Sequence, residues 1–332
     1  MTRRTWTLFL ALSVIWGIPY LLIKVADEAF TPATLVFIRT GIGALVLVPV
    51  AAARGGLRPV LSKWRPVLVF TVVEVAIPWL MLAQAERRLA SSLSGLLVAA
   101  VPFVGLGLAR ISGTRHDTTG AQLLGMTVGL GGVAVLVGFD FHGAETGSFL
   151  AMAVVILGYA IGPQVVSRHL SDVPSIGVVA VALTVSAAAY SPFAATEMPA
   201  HLPTARALLS IVTLGLVCTA LAFVLFFGLI AEVGPVKATV ITYVNPAIAV
   251  LLGVVLLGES FTIWTGVGFV MVLGGSVVAT NGTRRWRRDP AYTGSVPDVG
   301  SDPRLGGLGS GPAIVDPSST PAGRGPAGGA SG

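Results

Sequence analysis

The chain has 332 residues, 54% hydrophobic and only 11% charged, with a mean hydropathy of +0.85. Soluble domains carry about 25% charged residues, so this composition excludes an ordinary water-soluble globule and points to a membrane protein. The formal net charge is +6, and the single cysteine, Cys218, excludes an intrachain disulfide or a cysteine-built metal site and reads as a small buried hydrophobe.

Ten apolar spans are predicted, near residues 5–24, 33–53, 66–84, 89–109, 119–139, 148–167, 174–194, 207–230, 236–257 and 261–280. Each is about 20 residues, which as a helix matches the ~30 Å hydrocarbon core of a bilayer. The first follows Arg3-Arg4 and could pass for a secretory leader. It has no A-x-A-like cleavage site and runs on through Trp16-Gly17 to Ile23, so it is read as a span. With the N-terminus inside, the inner segments hold 14 Lys and Arg against 4 outside, so both termini are expected in the cytoplasm. The Arg87-Arg88 pair is the dissent. Residues 282–332 open on the basic cluster Arg284 to Arg288 and continue rich in Gly, Pro, Ala and Ser. They are expected to form a disordered cytoplasmic tail, the cluster acting as a topology stop signal rather than a lipid-binding site.

The spans repeat at an offset near 143. Gly125 matches Gly268, Gly131-Gly132 matches Gly274-Gly275, and Pro49 matches Pro192. Pro19 and Lys24 match Pro163 and Arg168 at 144, and Ala85-Glu86 matches Ala231-Glu232 at 146. Pro102 stands against Asn245-Pro246 within one residue. Five spans per half is an odd number, so the second half enters the membrane from the opposite side. The expected fold is an all-α integral membrane protein, its ten transmembrane helices forming two inverted five-helix repeats, residues 1–140 and 147–281.

Asn245-Pro246 in the ninth span, Leu257-Gly258-Glu259 at the following break, Trp264, Gly268 and Gly274-Gly275 together resemble the last two helices of EamA-like transporters of the drug/metabolite transporter superfamily. In outline the likeness covers residues 5–281. It implies two five-helix repeats and efflux of amino acids or other small metabolites, driven by exchange or a proton gradient. The family usually has an acidic residue at both hairpins. Here Arg115 or His116 stands opposite Glu259.

Two charges lie inside spans, Arg39 in the second and Glu74 near the middle of the third. Such charges cost about 2.5–3.5 kcal/mol at a helix centre and are expected to face a cavity or a partner. Arg39 is a candidate for an anionic group of a substrate, and Glu74 for a cation or a coupling proton. The plainer reading is that they pair with each other. Trp16, Tyr20, Trp79, Tyr159, Tyr243 and Asn245 are further candidates for the lining of a substrate site, with packing or interfacial anchoring as the alternative. Trp6, Trp64, Trp264 and Trp286 read as anchors. Pro19, Pro78, Pro102, Pro163 and Pro246, with Pro49 and Pro192, are expected to bend the helices. The glycine stretches 125–132 and 266–275 favour helix packing within the chain over a homodimer.

Enzyme readings fare poorly. The histidines, His116, His142, His169 and His201, fall in predicted loops without metal spacing, and there is no phosphate loop of the G-x-x-x-x-G-K-[ST] type. No cofactor and no nucleic-acid partner are expected. The reading is a secondary transporter of the cytoplasmic membrane working by alternating access. Its partners would be a small-molecule substrate, the lipid bilayer, and protons or a counter-substrate. The alternative is a channel or a non-transporting scaffold.

Overall fold

The structure, a computed structural model, describes residues 2–111, 120–140, 146–233, 241 and 244–281. The tail from residue 282 and the first hairpin around Arg115-His116 lie outside the described residues. Among the described residues every regular element is helical. Six stretches are long and apolar enough to cross a membrane: Arg3–Ala26, Pro32–Ala53, Trp64–Glu86, Thr146–His169, Ser175–Glu197 and Ala205–Glu232. Four shorter apolar helices, Ser91–Gly105, Leu123–Leu136, Asn245–Leu257 and Ile263–Gly275, fall in the remaining predicted windows.

Proline explains several of the breaks. The first rod is α1 (Arg3–Gly17) and α2 (Pro19–Ala26), parted at Ile18. Pro19 begins the new helix, where its missing N–H costs nothing. The second rod is α3 (Pro32–Ala53), followed by the short α4 (Leu57–Ser62). The third is α5 (Trp64–Phe70), a π-helical segment at Thr71–Ala76, and α6 (Ile77–Glu86), with Pro78 in its first turn. The fourth is α7 (Ser91–Val98) and α8 (Val101–Ile111), with Pro102 just past the break. Then come α9 (Gly120–Asp140), α10 (Thr146–His169) and α11 (Ser175–Glu197). Pro163 and Pro192 sit inside α10 and α11 without ending them. The eighth rod is α12 (Ala205–Gly215), a second π segment at Leu216–Leu221, and α13 (Ala222–Val233). The last two helices are α14 (Asn245–Leu257), again with proline in its first turn, and α15 (Ile263–Asn281).

The two π segments start at 71 and 216, so the backbone itself repeats at an offset of 145. A π turn frees a backbone group and is frequent at functional sites. Glycine gives the first one room: a Cβ on Gly158 of α10 would lie 2.3 Å from the Val73 carbonyl oxygen. Glycine also joins α9 to α15, where a Cβ on Gly275 would lie 2.5 Å from the Gly129 nitrogen. These glycine stretches therefore pack against each other within the chain.

Polar ties mark the two ends of the bundle. At the N-terminal face, Arg4 pairs with Glu232 at 3.1 Å and the Thr5 hydroxyl donates to the same carboxylate at 2.7 Å. Lys63 pairs with Asp172 at 2.5 Å. The hydrogen bond from Lys63 holds the Asp172 carboxyl below the usual carboxylate range. At the far face, Arg87 pairs with Asp27 at 2.9 Å. There the Glu259 carboxylate accepts the Ser91 and Ser92 amides at 2.7 and 3.0 Å, clasping the N-terminus of α7 to the α14–α15 turn. Gly258 makes that turn in the left-handed region, φ 67°. Partial burial raises the Glu259 carboxyl, but the hydrogen bonds from Ser92 and Ser91 outweigh it and leave the group below its ordinary range.

Candidate functional site

Arg39 lies on α3, facing the π segment of the other half. It is 6% exposed. Its guanidinium carbon stands 3.7 Å from the Trp79 ring centroid, and its Nε donates to the Thr219 hydroxyl at 3.0 Å. Thr219 in turn donates to the Leu214 carbonyl at 2.8 Å, within the π-distorted turn. Arg39 thus couples α3, the third rod and the eighth rod at one buried point. Tyr159 packs against both the core cluster that holds Trp79 and the one that holds Tyr20.

Glu74 stands elsewhere. Among the described residues no ion pair joins it to Arg39. Its carboxylate presses against Gly162 of α10, where a Cβ would lie 1.9 Å from Oε2. That oxygen is buried without a hydrogen-bond partner among the described residues. Leaving a buried carboxylate oxygen without a partner is costly.

Of the aromatic candidates, Trp79 covers Arg39, with Tyr159 and Tyr20 packed in the adjoining core clusters. Trp16 does not join them. It packs in a ring cluster with Phe226 at 4.8 Å and Phe223 at 6.0 Å. Asn245, its amide oriented by its neighbours, donates to the Ser13 and Ile241 carbonyls at 3.1 and 3.0 Å and so ties α14 to α1. Tyr243 and Trp286 lie outside the described residues. Trp6, Trp64 and Trp264 are exposed on the bundle surface, as interfacial anchors would be.

Next to this cluster is a cavity of about 400 Å³ between α8 and α10, lined by Val101, Gly105, Tyr159, Pro163, Gln164, Ser167 and Arg168. That volume suits a small molecule. The lining is mostly apolar, with Arg168 toward the N-terminal face and Tyr159 shared with the core that holds Trp79. Among the described residues no group of three or more His, Cys, Asp or Glu comes together as a metal site.

Sequence reasoning did not find Thr219. Glu74 and Thr219 are each the fourth residue of their π segments, 145 apart, a correspondence that only the backbone reveals. It also missed the target of Glu259, and it missed Glu86, which is fully buried with neither carboxylate oxygen partnered among the described residues.

Comparison with known proteins adds a family. The model of the EamA-like transporter family matches twice, over residues 4–138 and 146–281. The uncharacterized inner membrane transporter YedA of Escherichia coli (strain K12) is 27% identical over 300 residues, covering 88% of this chain and 95% of that protein. The uncharacterized transporter YvbV of Bacillus subtilis (strain 168) is 26% identical over 274 residues, covering 81% and 89%. A solved crystal structure at 23% identity shares the fold with a TM-score of 0.63, covering 86% of this chain and all of that one, 100%.

Proposed function

The chain belongs to the EamA-like transporter family, and from that premise we propose that it is a secondary transporter exporting a small metabolite, amino acid or drug-like compound by alternating access. Its ten rods would each span the membrane as two inverted five-helix repeats, with both termini cytoplasmic, the orientation favoured by the Lys and Arg bias.

The observation that carries this reading is the Arg39 site. A guanidinium buried in a membrane bundle is costly unless it is partnered. Here one nitrogen is satisfied across the two halves by Thr219, and the face of the group is covered by Trp79. Arg39 therefore sits at the repeat interface, near a cavity, where a transporter of this type binds its cargo. Arg39 would receive an anionic group, with Trp79, Tyr159 and Tyr20 around it. Glu74, unpaired with Arg39, would take up and release the coupling proton.

Inside-out vesicles containing the wild type, Arg39→Ala and Glu74→Gln test the proposal. A pH gradient is imposed and a panel of labelled amino acids and cationic dyes is followed. Saturable accumulation that follows the gradient and is lost in Glu74→Gln, with native elution retained, supports proton-coupled export. Accumulation that ignores the gradient and survives Glu74→Gln removes that residue from coupling. Flux without saturation would favour a channel.

A further inference from the structure

The two halves of the chain are not in the same state. Pro19, Tyr20, Ile23 and Lys24 at the end of the first rod correspond, at an offset of 144, to Pro163, Gln164, Ser167 and Arg168 at the end of the sixth. At the far face the first set is shut. Tyr20 and Ile23 are 8% and 1% exposed. At the N-terminal face the second set is open: Pro163, Ser167 and Arg168 are exposed and line the cavity. The closed end is tightly packed. A Cβ on Gly17 would lie 2.5 Å from the Cβ of Ile248.

Lys24 fastens the closed end. Its Nζ donates to the Glu86 and Leu89 carbonyls at 2.5 and 3.1 Å, joining α2 to the corner where α6 gives way to α7. Carbonyls at a helix C-terminus lack intrahelical donors and attract cations. The position matching Glu86 is Glu232, at the end of α13, where the carboxylate is already held by Arg4 and Thr5. In an inverted repeat, exchanging the conformations of the two halves produces the opposite-facing state.

We propose that Lys24 and Arg168 are alternating latches of the transport cycle. In the present state Lys24 closes the far face on the Glu86 and Leu89 carbonyls. In the opposite state Lys24 releases, and Arg168 swings from the cavity to the Glu232 carbonyl and closes the N-terminal face. The inference rests on the alternating-access reading above. It adds which cations do the closing and what they close on.

Ile23→Cys and Ser167→Cys, built separately, report the two faces through their rates of reaction with N-ethylmaleimide in nanodiscs. Cys218 is 1% exposed and stays as an internal blank. The reagent is neutral, so removing a nearby lysine charge does not attract or repel it. The expected resting pattern is a Ser167→Cys rate at least about tenfold above that of Ile23→Cys, as their exposures require. Adding Lys24→Ala should raise the Ile23→Cys rate at least about threefold and lower the Ser167→Cys rate, because one population gains what the other loses. Lys24→Arg should restore the resting pattern, and Arg168→Ala should depress Ile23→Cys labelling further. A merely structural role for Lys24 would raise the first rate without lowering the second, and that outcome overturns the latch. If Lys24→Ala changes neither rate while Glu259→Ala, which releases the separate clasp on α7, moves them in opposite directions, the latch is wrong and alternating access stands. If neither variant produces opposite shifts, both fall.

Discussion

The π segments Thr71–Ala76 and Leu216–Leu221 are the same backbone device in two chemical versions. The first carries Glu74, pressed on Gly162 with Oε2 unpartnered among the described residues. The second carries Thr219 at the matching place, a hydroxyl that accepts from Arg39. Backbone symmetry is kept because the same family repeat is matched in each half. Side-chain symmetry is dropped at the centre, where a carboxylate at both places would leave two costly buried acids and one arginine. The pair teaches that the halves share a backbone geometry while the site chemistry is lopsided.

The widest break in this comparison is expected at Arg39. Arg39→Ala removes the buried cation that bridges the two halves at Thr219, and transport in vesicles should fall to the level of empty vesicles. Its unfolding midpoint should also drop by more than that of any variant below. Thr219→Val keeps the shape and deletes the acceptor. A hydrogen bond to a charged group is worth about 1.5–3 kcal/mol, so the unfolding free energy in detergent should fall by that much and the denaturation midpoint with it. A midpoint that did not move would place the Arg39–Thr219 bond outside the energetics of the fold.

Gly162→Ala sharpens the contrast from the Glu74 side. The new Cβ would overlap Oε2 at 1.9 Å, and the carboxylate, being the mobile end of its side chain, should swing away. Gradient-driven transport should drop about tenfold, equivalent to 1.4 kcal/mol, with native elution retained. Overpacking of this kind costs about 1–3 kcal/mol when the neighbour cannot yield. A normal transport rate would show that the position of Glu74 does not matter.

The smallest effect belongs to the Glu259 clasp, which is half-exposed and so worth under about 1 kcal/mol after solvent screening. Its carboxyl is depressed in the folded protein. It therefore adds stability above the ordinary carboxylate value of about 4.3, and that contribution fades as pH falls through the depressed value. The midpoint of the wild type should exceed that of Glu259→Gln at pH 7, and the gap should shrink below about pH 4. A gap that widened on acidification would overturn the assignment.

Much of the architecture was legible in the chain itself. Apolar runs of bilayer length and the prolines that open α2, α6 and α14 follow from local rules: burial of apolar surface, a missing N–H, a fixed φ. The offset between halves followed from matched glycines and prolines, and the EamA-like hairpin at Gly258-Glu259 named the family. What lay beyond the sequence depends on rotation about each helix axis and on which rods meet. Twenty apolar residues look alike from every side, so nothing local said that Arg39 would reach Thr219, 180 residues away, instead of Glu74. The same holds for Trp16, which packs among phenylalanines, and for Asn245, which ties two helices. The π turns escaped because they arise from packing, as at Gly158 against the Val73 carbonyl, and no residue type encodes them. The sequence determined the number and order of the apolar segments, because hydrophobicity and proline act locally. Only the tertiary structure decided which buried charges meet, and that one end of the bundle is shut while the other is open, because contacts between distant rods set both.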